Sequence, residues 1–181
     1  MNDFLRKVKL LEHITIELDS TKTDFIKIFE ENVDESDLGF SDYFFEALTT
    51  GKEEYKGKID NHLFKLRRRK RLFDTNRNFA VAEGTMAEKN GKLVLETEIK
   101  GFHYMMKFFY GFIVVIYLIF IVGFAFSTVS GKNTIPSFAL PLIAVHALLM
   151  LGIPYFVMRR NVSRMKYELE RDFHFWTKQP L

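Results

Sequence analysis

The chain has 181 residues, a formal net charge of +3 and no cysteine, which excludes disulfides, zinc–thiolate sites and cysteine nucleophiles. Acidic residues slightly outnumber basic ones in residues 1–105, and the excess positive charge follows the second of two long apolar runs. The N-terminal part is therefore not a typical nucleic-acid-binding domain, and one soluble domain plus an apolar hairpin accounts for this length.

The N-terminal residues predict a strand rather than a cleavable leader. Residues 1–19 alternate charged and apolar side chains and contain no apolar stretch of the length, about 7–15 residues, that a signal peptide needs. Within them, Leu11, Ile14, Ile16 and Leu18 alternate with polar neighbours closely enough to predict a strand over residues 10–18. We therefore expect the first apolar run to direct membrane insertion.

A helix is predicted next, over residues 21–33. Ser20 or Asp19 can cap its first turn, and Phe25, Ile28 and Phe29 fall on one face at three- and four-residue spacing. The acidic residues 34–39 predict a loop. The aromatic residues 40–48 predict either a short helix or an irregular packed loop.

Closely spaced strands follow this helix. Alternation predicts strands over residues 54–60, 63–73, 79–88 and 93–99, and turn residues separate them at 60–61, 76–78 and 90–91. Asn90-Gly91 is the clearest turn signal, because both residues adopt positive φ readily. Residues 1–103 are therefore predicted to form an α+β domain, an antiparallel β-meander with one packed helix.

Two apolar runs, residues 108–126 and 135–158, then predict a transmembrane helical hairpin. Each has roughly the 20 apolar residues that a helix needs to cross a bilayer core of about 30 Å. The hairpin is assigned to residues 104–158, with spans at about 107–128 and 135–158. The alternative is a buried helical hairpin in a larger soluble fold.

Flanking charge predicts the orientation of this hairpin. Arg159, Arg160, Arg164 and Lys166 follow the second run, whereas the turn between the runs has only Lys132. The positive-inside rule then places both termini in the cytoplasm and the turn outside. Residues 159–181 form a basic cytoplasmic tail, predicted to be an amphipathic helix that lies on the membrane or on the soluble domain.

The basic segment at residues 65–71 is the most conspicuous candidate site. On a strand, Arg67, Arg69 and Arg71 would share one face, opposite Arg68 and Lys70. Three readings stay open: a site for an anionic lipid headgroup, a site for a small anionic ligand, or a solvated strand whose charges prevent aggregation. One face of the strand would also need carboxylates, for which Glu83, Glu96 and Glu98 are candidates.

His146 is the one histidine within the apolar runs, which contain no Asp, Glu, Lys or Arg. A titratable group in mid-span usually faces the hairpin interior or another subunit, where it can sense protons or line a pore. The alternative is a neutral imidazole that donates to a backbone carbonyl or to a neighbouring hydroxyl. The candidate hydroxyls are those of Ser137, Thr128 and Tyr117.

The sequence contains no glycine-rich phosphate loop, nucleophile elbow or zinc-protease motif, and its other histidines are scattered. We therefore expect no catalytic residue, metal or cofactor. The preferred function is that of a non-enzymatic inner-membrane protein whose cytoplasmic β-rich domain binds a partner, an anionic lipid or a small anionic ligand. The alternative is a ligand-activated, oligomerising, membrane-disrupting effector of antiphage defence, and in either case the hairpin could join copies into a homo-oligomer.

Part of the chain resembles a group of uncharacterised bacterial proteins with two transmembrane helices and an N-terminal cytoplasmic β-rich domain. The resemblance runs from Tyr55 to about Val122. It rests on Tyr55-x-Gly57-x-Ile59, on Phe64-x-Leu66-x-Arg68-Arg69, on Gly84 and Gly91, and on the direct passage from a strand into a Phe-rich span. It implies an architecture but no activity. In architecture the chain is also loosely similar to antiphage effectors that join a nucleotide-sensing β-barrel to two transmembrane helices, in the reverse order.

Overall fold

The structure, a computed structural model, describes residues 2–38, 53–69, 80–102, 104–129 and 138–178. The chain divides into two compact units: residues 1–103 with 158–181, called the sheet unit, and residues 104–157, called the helix pair. The predicted element at residues 40–48 and the predicted turn at 76–78 lie outside the described residues.

Where the structure describes it, the sheet unit has two short helices, six strands and the end of a long helix. In chain order the first eight elements are α1 Asn2–Lys7, β1 Leu11–Leu18, α2 Lys22–Asn32, β2 Val33–Glu35, β3 Tyr55–Ile59, β4 Leu63–Arg68, β5 Val81–Lys89 and β6 Lys92–Lys100. The strands form one sheet in the order β1-β6-β5-β4-β3-β2. The α+β architecture predicted from the sequence is confirmed.

The sheet is mixed rather than purely antiparallel. Strands β3 to β6 form the predicted meander, and β1 pairs with β6 antiparallel. The difference is β2, which pairs parallel with β3 from Val33 to Glu35 in a segment predicted as helix end and loop. Three residues are too few to show an alternating pattern, so this short strand has no sequence signal.

The turn between β5 and β6 is built as predicted. Asn90 and Gly91 have φ angles of 54° and 76°, and Lys89 pairs with Lys92 across the turn. Two consecutive positive-φ residues match the right-handed twist of the flanking strands, which fixes their register.

Helix α2 packs one face on the sheet. Its N-cap is Thr21, whose Oγ1 accepts a hydrogen bond from the Asp24 N–H at 3.1 Å, so neither Ser20 nor Asp19 caps it. Thr21 stands three residues before the Asp24 N–H, which is the separation a capping side chain needs. The predicted face is confirmed, because Phe25, Ile28 and Phe29 are buried.

The same face of the sheet is also covered by the end of α4, the helix Ala139–Trp176. The Phe173 ring meets those of Phe25 and Phe64 edge-on, with centroids 5.3 and 5.9 Å apart, and Trp176 meets Tyr55 at 5.7 Å. The predicted amphipathic tail is therefore part of the core of the sheet unit. The predicted apolar face of this helix is confirmed, because its four members are all buried: Met165, Leu169, Phe173 and Trp176.

The helix pair consists of α3, Tyr104–Val129, and the first part of α4. Both helices are long and apolar enough to cross a membrane, and almost none of either apolar stretch is buried. Between them, the Tyr110 hydroxyl donates to the Leu151 carbonyl at 2.9 Å. Helix α4 continues through Pro154, so the second predicted span and the predicted tail helix are one helix.

Candidate binding surface on the open face of the sheet

Each strand of the sheet turns alternate residues to opposite faces, and only one face is covered by α2 and α4. On the other, called the open face, strand register places five charged or titratable side chains in a row across five strands, whereas Leu11, Val81 and Arg67 in the neighbouring row of the same face are buried. In order from β1 to β3 the five side chains of the row are His13, Glu98, Glu83, Lys65 and Lys58. This row is set by register alone, because directly paired residues of adjacent strands share a face.

Ion pairs connect the row. His13 Nε2 lies 2.7 Å from a Glu98 carboxylate oxygen, and Lys65 Nζ lies 3.1 Å from Glu83. Lys100 bridges the two glutamates, at 2.7 Å from Glu83 and 3.1 Å from Glu98. Two of the three carboxylates predicted to serve the basic strand, Glu83 and Glu98, are therefore part of this network.

A cavity of about 640 Å³ lies over this row. Its lining has glutamates from β5 and β6 at one end and, at the other, Lys58 and Lys65 together with Asp37 and Asp60, and the exposed side chain of Leu63 adds apolar surface. Its size falls within the range of small-molecule sites, roughly 300–1,000 Å³. The lining therefore suits a group that carries both charge signs better than it suits a simple anion.

Electrostatics keep this face charged near neutral pH. Burial raises the pKa of Glu83, but hydrogen bonds and charge from Lys100 and Lys65 outweigh it, and the pKa lies below its ordinary value. Burial lowers the pKa of Lys100, but the hydrogen bonds and charges of Glu83 and Glu98 outweigh that and raise it. Glu83 and Lys100 therefore hold each other in their charged forms.

The predicted anion site is less accessible than a headgroup site requires. Arg67 lies on the same strand face as Lys65, as the two-residue spacing predicts, yet the exposed fractions of Arg67 and Arg69 are 0% and 7%. Arg69 forms an ion pair with Asp34, and Arg71 lies outside the described residues. A ligand-binding role of Arg67, Arg69 and Arg71 stays a prediction.

Arg68 lies on the covered face, within a buried polar cluster that joins the sheet to α4. Its guanidinium donates to Glu168 at 2.5 Å and to Glu54 at 2.8 Å, and Tyr55 donates to Asp172 at 2.7 Å. Burial raises the pKa of the Tyr55 hydroxyl far above its ordinary value, and the hydrogen bond to Asp172 adds to this. The hydroxyl therefore stays protonated and keeps donating.

This cluster was not predicted from the sequence, although α4 carries a signal for it. Glu168 and Asp172 are four residues apart and flank the apolar stripe of the helix. Carboxylates at that spacing share a helix face. Carboxylates that are buried beside a stripe packed on a sheet need cationic or hydroxyl partners. Here Tyr55 on β3 and Arg68 on β4 are those partners.

In the helix pair, His146 meets one of its predicted partners. Its Nδ1 lies 2.7 Å from the Tyr117 hydroxyl on α3, and the two rings are 6.0 Å apart at an interplanar angle of 61°. Of the alternatives that the sequence left open, this contact corresponds to the neighbouring hydroxyl.

No protein-family model, curated protein or solved structure matches this chain. The function therefore has to be argued from the geometry of the two units. The resemblance to bacterial proteins with two transmembrane helices stays a prediction.

Proposed function

We propose that this chain is a non-enzymatic integral membrane protein of the bacterial inner membrane. In this proposal α3 and the first part of α4 cross the bilayer, and the sheet unit is a cytoplasmic binding module. The module takes its ligand on the open face, in the cavity above the row from His13 to Lys58.

The observation that carries the proposal is the exposure of apolar side chains on the helix pair. Phe108 and Ile119 on α3 are each 66% exposed, and Leu148 on α4 is 73% exposed. A core helix of a soluble protein buries such residues, whereas these would form a far larger apolar patch than soluble monomers carry. Hydrocarbon solvates them, and a helix satisfies its own backbone groups there.

Charge supports the cytoplasmic location of both termini. Four basic residues lie within the first eight positions after the apolar part of α4, at 159, 160, 164 and 166, and one lysine stands between the apolar runs. Basic residues close to a span are retained on the cytoplasmic side. The sheet unit, which contains both ends of the chain, would then meet cytoplasmic ligands.

The open face favours a ligand with a cationic and an anionic group. Glu83 and Glu98 supply the acidic end of the site, and Lys58 and Lys65 supply the cations at the other end, where Asp37 and Asp60 also line the cavity. Lys58 forms an exposed ion pair with Asp37 at 3.0 Å. An incoming anion can replace that carboxylate at Lys58 with little loss of free energy. An anionic headgroup alone would meet more carboxylates than ammonium groups in this cavity.

Membrane insertion is tested by extraction. Membranes from cells that express the full chain are washed with alkaline carbonate, which strips peripheral proteins, and then with detergent. We expect the chain to stay in the pellet through carbonate and to dissolve in detergent. Release by carbonate would contradict the proposal.

Ligand binding is tested separately on the detergent-solubilised full chain. Thermal unfolding is recorded through Trp176, the single tryptophan, with a panel of amino acids, nucleotides and inorganic phosphate. We expect a zwitterionic member of the panel to raise the midpoint, and a Lys58→Glu/Lys65→Glu variant to lose that shift. Lys27→Glu on the exposed side of α2 is the matched control, and an unchanged midpoint with every compound would contradict the binding site.

A further inference from the structure

The two edges of the sheet differ sharply. One edge is β2, with three residues, and the other is β1, with eight residues in an uninterrupted register against β6 from Leu11 to Leu18. Proteins commonly prevent an exposed sheet edge from pairing with another chain by means of a very short strand, a lysine, a proline or a bulge. The β2 edge is short, whereas β1 contains no lysine or proline and pairs with β6 without a bulge.

Backbone geometry shows which groups of β1 point outwards. The Leu10 carbonyl accepts a hydrogen bond from the Gly101 N–H at 2.9 Å, so this carbonyl faces β6. In an antiparallel ladder the direction alternates with each residue, so the N–H and C=O groups of residues 13, 15 and 17 face away from β6. In the described part of the chain, no backbone hydrogen bond outside the sheet involves these three residues.

We propose that the β1 edge pairs with β1 of a second copy of this chain, antiparallel about a twofold axis at Thr15. This register puts Thr15 opposite itself and His13 opposite Glu17 of the second copy, twice. Both pairings use the outward-facing residues, so the two chains would exchange about six backbone hydrogen bonds and form one continuous sheet.

Side-chain chemistry is what selects a second copy as the occupant. Thr–Thr pairs are favourable directly across an antiparallel ladder, and a twofold axis repeats each pairing. His13 is about half exposed and, in either protonation state, carries no negative charge that would repel the second copy's Glu17. On the covered face Ile14 would lie opposite Ile16.

The Glu12 carboxylate, on the covered face of β1, does not oppose this register. Glu12 would lie opposite Leu18 of the second copy, but its carboxylate already accepts a hydrogen bond from Lys166 of α4 at 2.8 Å. The pairing is independent of the proposed membrane function, since it uses only the sheet unit. A failure of one therefore leaves the other in place.

The register is tested by disulfide cross-linking of the full chain, which has no native cysteine. Opposed residues in a hydrogen-bonded antiparallel pair have Cα atoms about 5.5 Å apart, within the range of a disulfide. Under mild oxidation we expect Thr15→Cys to give a covalent dimer. Thr85→Cys, exposed on β5 well inside the sheet, is the control and should stay monomeric on a non-reducing gel.

A mixture fixes the register further. His13→Cys chains mixed with Glu17→Cys chains should cross-link, whereas either variant alone should not, because residues 13 of the two copies would stand roughly 13 Å apart. The proposal is overturned if Thr15→Cys stays monomeric or cross-links no better than Thr85→Cys. It is also overturned if His13→Cys alone reacts as well as the mixture, which would indicate another register.

Discussion

Arg68 is the residue on which most of the buried polar cluster depends. Its side chain is 18% exposed and that of Glu168 is 8% exposed, so the pair between them is largely removed from water. Arg164 also donates to Glu168 at 2.7 Å, but from the same helix. Arg68 is therefore the described cation that ties the Glu168 carboxylate to the sheet.

We expect Arg68→Ala to lower the free energy of unfolding by roughly 2–3 kcal/mol, because it leaves Glu168 buried without its charge partner from the sheet. Lys65→Ala, on the same strand, removes a lysine whose side chain is 45% exposed and should cost at most about 0.5 kcal/mol. Urea unfolding followed by Trp176 fluorescence measures both. Equal losses would show that the Arg68 pair is no stronger than a surface contact.

Glu83 should make stability fall in acid. Its pKa in the folded chain is below the ordinary value of 4.5, so its contribution is present above about pH 4.5 and is lost as pH falls through the lower folded value. Glu83→Gln should therefore cost stability at pH 7 and progressively less towards pH 3. Glu96→Gln, at a residue whose side chain is 61% exposed, is the control in the same unfolding assay, and equal pH profiles for both variants would contradict the assignment.

At the scale of elements, the end of α4 acts as a core helix of the sheet unit. Its four-residue spacing predicts an apolar stripe, but lipid and sheet are both apolar, so spacing cannot say which one the stripe covers. Alternation is a better guide for strands, and it predicts β1 and β3 to β6. It fails for β2 because three residues show no period.

The burial of the arginines could not be predicted for a related reason. Spacing predicts that Arg67 and Arg69 share a face, but it cannot reveal partners far along the chain. Asp34, the partner of Arg69, is 35 residues away, and Glu168, the partner of Arg68, is 100 residues away. A local run of positive charge therefore resembles a solvent-facing site until the long-range pairing is known.

The core role of α4 predicts contrasting effects for two of its phenylalanines. Phe173 is fully buried against Phe25 and Phe64, so Phe173→Ala should cost about 3–5 kcal/mol. Phe175, two residues later, is 59% exposed, and Phe175→Ala should change stability by no more than about 0.5 kcal/mol. Chemical unfolding in detergent measures both, and similar small losses would show that this part of α4 is not core.

For the molecule as a whole, the mean hydropathy does not reveal the two long apolar helices, because the charged sheet unit offsets them. The mean hydropathy is −0.05, a value typical of soluble proteins, although the helix pair is almost free of charge. Only a window of span length separates the two parts, which is why the sequence predicts the two long apolar helices. Helix α4 is described from Ala139, and residues 135–137 of the predicted second span lie outside the described residues.

In the proposed membrane topology, a bilayer separates residue 132 from both ends of the chain. Because the chain has no cysteine, single-cysteine variants can report this directly. Lys132→Cys and Lys178→Cys chains are treated with a membrane-impermeant maleimide in bacterial spheroplasts, before and after lysis. We expect Lys132→Cys to be labelled in intact spheroplasts and Lys178→Cys to be labelled only after lysis. The reverse pattern, or equal labelling of both before lysis, would contradict the proposed topology.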